Sequence, residues 1–522
     1  MGALLGLLAS ILGLLGLGGG GGGSTPPAPP DPPPSAATPL TSGDRLGVAR
    51  DGDRAVLRTA DGRQAFLRGA NVNALVDYGG AHGTVPVTDR DAEQARALGF
   101  TVVRLAVSWS RIVPQPGAVD AAYLDEVRRA AGRFADRGIH VLLDLHQDRY
   151  GAGLGPTRDE RDGAPRWAQL TGGASTAGGS TDHDYYGSAA ARAAARAFFD
   201  DATVPGTGRT LQAHYGDALV ALADVGEDLG PALAGIELFN EPVDPVRASL
   251  QPSDVATFYR ERLWPFYRRA IERLRTSGYD GPIWFEGSAT RTHTDDDPSA
   301  ARFSDDPGLV YGPHVYTDVY NGRNGSGTPA RIAASFARAR DEAERYGAAL
   351  APTELPGAAG TIGGDWERDR EATLDQLDAL GAGGMVWVWK QHPSRDYGWG
   401  VLTAGGGLRG GTEIAQDYGR ARVRSSSAPI ASVAWRGGTL RVRTTGAGVV
   451  ELWDGAATGA RPLERGASPT LTVDGTAAAA GAVEAVTATS PLASAAAWIG
   501  GRVLRVTVGD GEHEVALARA GG

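Results

Sequence analysis

The chain has 522 residues, no cysteine, 42% hydrophobic and 21% charged residues, and a formal net charge of −10. That length holds more than one domain and a sizeable core, and the composition is that of a globular chain. The acidic balance argues against nucleic acid or an anionic membrane as the main partner, and the lack of cysteine excludes disulfides, thiolate nucleophiles and Cys-based zinc sites.

Residues 1–23 join an apolar run, Leu4 to Leu17, to six glycines ending at Gly23. The run resembles the centre of an export signal but has no Lys or Arg ahead of it, and it is short for a membrane span. Residues 24–45 contain a Pro-rich tract, Pro26 to Pro34, read as a stiff extended spacer. A secreted or cell-surface protein is expected from these two features, stabilised by its core alone.

From about residue 51 to 391, short apolar runs alternate with amphipathic helical patterns, the mark of βαβ units. Strands are predicted at 65–71, 101–107, 140–145, 235–239, 282–286, 310–313, 348–351 and 384–389. Helices are predicted at 88–98, 121–137, 252–276, 329–346 and 366–380. Eight strands with intervening helices predict an α/β fold, a (β/α)8 TIM barrel over 46–419, whose site lies at the C-terminal strand ends. A doubly wound open sheet is the alternative, but no Gly-rich phosphate fingerprint follows the first strand. Residues 147–181, rich in Gly, Asp, Arg and Thr, are predicted as a large loop over the catalytic face. After 419, alternating runs at 431–436, 439–444, 449–453, 469–473 and 503–508 predict a small C-terminal antiparallel β-sandwich over 420–522. Lacking a cluster of aromatics, it reads as a buttress for the barrel.

Two glutamates close short apolar runs: Glu241 in Phe-Asn-Glu-Pro and Glu354 in Pro-Thr-Glu-Leu-Pro. Two carboxylates facing each other across a barrel mouth are the minimum equipment for cleaving a glycosidic bond. Glu241 needs a raised pKa to donate a proton, which a semi-buried strand end supplies. Glu354, as a nucleophile, must stay ionised and needs donors nearby; Tyr316 and Arg104 are the best candidates. His314 and Tyr316 alternate after the sixth strand, so both side chains can face one side. His146, Gln147 and Asp148 form a dense polar group after the third strand, suited to sugar hydroxyls, as is the carboxamide of Asn240. Metal binding by these residues is disfavoured, because no HExxH-type spacing exists. Trp389 offers a flat apolar face for a pyranose ring, and Lys390 beside it is the single lysine of the chain.

At Asp144–Asp148, Phe239–Pro242, His314–Tyr316, Thr353-Glu354 and Trp387–Gln391 the chain resembles a family-five glycoside hydrolase of the retaining (β/α)8 clan, nearest to the endoglycoceramidases. The resemblance spans roughly residues 51–522. It implies Glu241 as acid/base and Glu354 as nucleophile, with Asn240, His146, Asp148, His314, Tyr316 and Trp389 lining the sugar subsite. It also implies a glycolipid or β-glycan substrate, no cofactor, peripheral contact with membrane lipid or micelles, and a monomer. One departure is the end of the first strand, Gly69-Ala-Asn-Val-Asn73-Ala, which lacks the lysine of lactosylceramide-cleaving members and opens galactosyl- or glucosyl-lipid specificity. An endo-β-glucanase or mannanase is the nearest rival, and an inactive carbohydrate-binding barrel the rival from another class.

Overall fold

The computed structural model describes residues 38–518 apart from 77–85, 152, 155–162, 178–186, 247–251, 296–300, 318, 320–327, 358–365, 394–397, 410–416, 437, 456–469, 479–480 and 493–494. The export-like run and the Pro-rich tract lie outside the described residues. No helix among the described residues is long and apolar enough to cross a membrane.

Three short strands open the fold: β1 (Leu46–Asp51), β2 (Arg54–Thr59) and β3 (Gln64–Ala65). Eight parallel strands follow: β4 (Arg68–Val72), β5 (Val102–Val107), β6 (His140–Leu145), β7 (Leu233–Glu237), β8 (Ile283–Phe285), β9 (Leu309–Tyr311), β10 (Ala349–Leu350) and β11 (Gly384–Val386). They pair in the order β10-β9-β8-β7-β6-β5-β4-β11, and a bridge from Leu355, just past β10, to Val386 of β11 closes the ring. Every residue of β5 and β6 is buried, as parallel strands covered on both faces must be. Helices lie between most of them. The helix Asp89–Ala97 starts on a capping box of Thr88 and Asp91, and Asp120 caps the helix Ala121–Ala135.

All eight predicted barrel strands exist, but several end early: β7 stops at Glu237, three residues before Asn240, and β11 at Val386. The predicted helix 252–276 is interrupted by a π turn at Tyr259–Leu263. The helices Ala189–Phe199 and Leu211–Leu229 were not predicted.

The C-terminal part is antiparallel: β12 (Arg422–Ser426), β13 (Ile430–Arg436), β14 (Thr439–Thr444), β15 (Gly448–Trp453), β16 (Thr470–Val473), β17 (Thr476–Ala477), β18 (Gly481–Leu492), β19 (Ala495–Val508) and β20 (His513–Ala518). One sheet runs β13-β14-β20-β16-β17 and the other β1-β2-β3-β12-β15-β19-β18. Val433, Leu440, Val442, Val450, Leu452, Val506, Val515 and Leu517 share the core between them. The second sheet incorporates the N-terminal strands, because Ala65 and Gln64 of β3 pair with Ser425 and Ser426 of β12. The division of the sequence at residue 420 does not anticipate that pairing.

Inside the barrel, Val102, Leu142, Ala234, Trp284, Val310, Ala349 and Met385 fill the end away from the catalytic face. Leu46 and Leu57 of the β1–β2 hairpin belong to the same cluster, so the hairpin packs onto the barrel floor. On the barrel's flank, Trp453 packs against Gly99 and donates its indole N–H to the Gly419 carbonyl at 2.9 Å. A Cβ at Gly99 would sit 2.4 Å from that ring, so glycine is required there.

Candidate active site

The centre of the site is Arg104, fully buried on β5. Its Nε donates to Glu237 at 2.5 Å, Nη1 to Glu354 at 2.8 Å and Asn71 at 3.0 Å, and Nη2 to Asn240 at 2.8 Å. Nη2 also lies 3.1 Å from Asp144. β4, β5, β6 and β7, with the segments after β7 and β10, thus all converge on one guanidinium. Burial alone would discharge it, but the charges of Asp144, Glu237, Glu354 and Glu286 outweigh that and hold it firmly cationic.

Glu354 is 6% exposed and receives the Tyr316 hydroxyl on Oε2 at 2.7 Å in addition to Arg104 on Oε1. Both donors named from the sequence therefore reach this carboxylate. Glu241 is 4% exposed, with φ of 40°, in the left-handed region. Its Oε1 accepts from Thr292 Oγ1 at 2.8 Å and lies 2.7 Å from His314 Nδ1. The same Nδ1 is 3.3 Å from Glu354 Oε2. A nitrogen between two carboxylate oxygens carries its hydrogen there, so His314 bridges the pair. An oxygen of Glu241, one of Glu354 and a nitrogen of His314 all lie within 4.8 Å of one another.

A second triad, Glu237, Glu286 and His314, offers ligand atoms equally close together. In both sets the carboxylates already take hydrogen bonds or close charge contacts from Arg104, Tyr316 or Thr292, so their lone pairs serve the protein's own network.

His146 is buried, with Nδ1 2.7 Å from Asp144 and Nε2 3.8 Å from Asp148. Burial would lower its pKa, but Asp144 outweighs this and lifts it to about 9, so the ring is an imidazolium at neutral pH. Burial raises Asp148 to about 6, with the charges of Glu241 and Glu354 adding to the effect. Burial likewise raises Glu237 to about 6, against the pull of Arg104.

Three sequence-predicted residues do other work. The side-chain amide of Gln147 donates to the backbone carbonyls of Asn240 and Glu241 at 2.5 and 3.2 Å, and its oxygen accepts from the Tyr150 amide at 2.5 Å. It is a brace for the Asn-Glu turn. Trp389 is 2% exposed, edge-on to Phe100, and its indole N–H goes to Asp91 at 3.0 Å. Lys390 also pairs with Asp91, at 2.7 Å. Neither belongs to the cluster around Arg104. The indole found there is Trp387, half-buried and stacked on His146 with ring centres 5.5 Å apart. The carboxamide of Asn240 is engaged as well, accepting from Arg104 and donating to the Gln147 carbonyl at 2.8 Å.

The family model described as cellulase (glycosyl hydrolase family 5) matches residues 59–393. The chain belongs to glycosyl hydrolase family 5. This family 5 chain is 31% identical over 260 residues, 49% of its length, to endoglycoceramidase I of Rhodococcus hoagii (strain 103S). The match covers 48% of that relative, so the chain spans about half the length of the curated protein it matches. The crystal structure of an endogalactoceramidase superposes with a TM-score of 0.68 at 29% identity, over 91% of this chain and 99% of that one. Endo-glycoceramidase II from Rhodococcus sp. superposes at 0.66 with 23% identity, over 88% and 98% of the two chains, a likeness of fold.

Site residues of this family 5 chain that sequence reasoning did not single out include Asn71, Asp144, Glu237, Glu286, Thr292 and Trp387. Glu237 and Glu286 each end an apolar strand, as Glu241 and Glu354 were noted to do, so the signal was present. Thr292 lies on the five-residue helix Thr290–Thr294, and no pattern marks it.

Proposed function

We propose that the chain is a retaining β-glycosidase that cleaves the bond between a sugar and a lipid aglycone. The observation that carries the reading is the approach of the Glu241 and Glu354 carboxylates to within 4.8 Å. Retaining enzymes hold their carboxyls about 5–5.5 Å apart, whereas inverting ones need roughly 6.5–9.5 Å to admit a water. In the first step Glu354 attacks the anomeric carbon as Glu241 gives its proton to the leaving oxygen, forming a glycosyl-enzyme ester. In the second, Glu241 takes a proton from water, whose oxygen displaces Glu354 and leaves the configuration retained. Arg104 and Tyr316 donate to the Glu354 carboxylate, orienting it for attack and stabilising it as the leaving group of the second step.

The lipid aglycone is supported by the endoglycoceramidase relative and the endogalactoceramidase structure. Tyr316, Val388 and Trp399, with the half-buried Trp366 and Trp387, form one cluster. This mostly buried cluster meets Glu354 through the Tyr316 hydroxyl and so packs beneath the nucleophile. The lysine-free end of β4 favours a galactosyl or glucosyl headgroup. The cellulase description of the family model favours a second reading, an endo-β-glucanase. Incubation with a panel of glycosylceramides and soluble β-glucans, with the product anomer followed by NMR, separates the two. Release of the β-anomer from glycosylceramide is the expected result; turnover of glucans alone would overturn the lipid reading, and an α-anomer the mechanism.

A further inference from the structure

Glu286 follows β8 directly and is 2% exposed, yet no step of the displacement uses it. Its carboxyl lies beside the catalytic pair. Oε2 is 3.4 Å from His314 Nε2, Oε1 is 3.7 Å from Arg104 Nη2, and the backbone amide of Glu241 donates to the carboxyl. The Tyr267 hydroxyl, from the helix Trp264–Thr276, donates to the Glu286 carbonyl at 3.1 Å and fixes the main chain beneath the side chain. Glu286 therefore touches Glu241 twice, through the main chain directly and through the far edge of the imidazole that meets Glu241 Oε1.

Both contacts answer a need. A non-glycine residue at φ of 40° holds that conformation only where its surroundings impose it. Nε2 of His314 makes no hydrogen bond among the described residues, and Glu286 Oε2, 3.4 Å away, is the charged group that backs the ring on that side. With Thr292 and His314 both donating to Oε1 of Glu241, that oxygen is capped and the transferable proton sits on Oε2.

We propose that Glu286 is a positioning residue for proton delivery: it locks the left-handed backbone of Glu241 and holds His314 in the orientation that caps Glu241 Oε1. The inference rests on the retaining hydrolysis proposed above, and it concerns only the acid/base half of that reaction. Besides His314, Arg104 and Glu241, the charged group acting most strongly on Glu286 is Glu237, and burial together with that charge keeps its carboxyl well above the usual carboxylate range. A neutral carboxylic acid supplies one acceptor and one donor, and a glutamine at this position would supply the same pair.

The test compares leaving groups, because a good one needs no acid. Glu286→Leu and Glu286→Gln are assayed for kcat/KM on a 2,4-dinitrophenyl β-glycoside and on an alkyl or ceramide β-glycoside of the same sugar. Glu286→Leu is expected to lose about tenfold to a hundredfold on the alkyl substrate, part of the usual contribution of a general acid, and less than about threefold on the dinitrophenyl one. Glu286→Gln should restore the alkyl rate to within about threefold of the unmodified enzyme. Equal losses on both substrates, no loss, or a Gln variant as impaired as the Leu variant would each overturn the proposal. If Glu286→Leu does not fold, Glu286→Asp, which withdraws the carboxyl by one methylene, is read by the same criterion. Failure of the unmodified enzyme to hydrolyse any β-glycoside would instead count against the proposed function.

Discussion

Two buried charge clusters sit at opposite ends of the barrel, and β4 reaches both. At its far end Asn71 holds Arg104, which is ringed by Asp144, Glu237, Glu286 and Glu354. At its near end Arg68 pairs with Asp378 at 2.9 Å; Arg420 shares that carboxylate at 2.6 Å, and Arg422 donates to the Leu98 and Gly99 carbonyls. The first cluster has a surplus of acid, the second a surplus of base. Crowded carboxylates share protons and titrate near neutral pH, whereas a guanidinium holds its charge across the working range. Acid–base chemistry is therefore open only to the acidic cluster, while the basic one can stitch the C-terminal sheets to the barrel.

The sharpest way to break this comparison is Glu354→Gln, which should lower turnover by at least about a thousandfold without unfolding the protein. Ordinary activity in that variant would remove the nucleophile assignment. Arg104→Met and Asp378→Asn each strip a buried charge of its partner and should each cost about 3–5 kcal/mol in urea unfolding. They should part in the assay: the folded fraction of Asp378→Asn keeps its kcat/KM, and that of Arg104→Met does not. Stability should also fall with rising pH. His146 has its pKa raised in the folded state, so the stability it contributes is fully present below about 6.5 and is lost as pH passes about 9. The loss is roughly 3 kcal/mol in unfolding free energy across that window, and His146→Asn should flatten it. Smallest of all, Lys390→Met should cost about 1 kcal/mol and leave kcat/KM within about twofold, since Asp91 keeps its bonds from Thr88 and Trp389.

Glu241 and Glu354, the proposed catalytic pair, were legible as carboxylates shortly after apolar runs, although the strands themselves end at Glu237 and Leu350. The eight barrel strands were legible for a related reason: strands buried on both faces read as continuous apolar runs. What failed to show was anything decided by contacts distant in sequence. Gln147 has the chemistry of a sugar ligand, yet its amide is consumed by the turn 93 residues away. Trp389 drew attention as an indole at the end of a strand predicted over 384–389, but β11 ends at Val386, so the side chains beyond it follow the loop. Likewise, β3 is two residues long and offers no pattern from which its pairing with β12 could be read.

That short strand has a consequence for how the chain is made. Ser425 lies 360 residues beyond Ala65, so on the ribosome the earliest strands wait through the synthesis of every barrel unit before their partner emerges. Contacts so far apart in sequence slow folding and leave an unpaired edge open to aggregation in the interval. A gene truncated after the barrel would never supply the missing partner, and its product should accumulate in inclusion bodies even though every catalytic side chain is encoded.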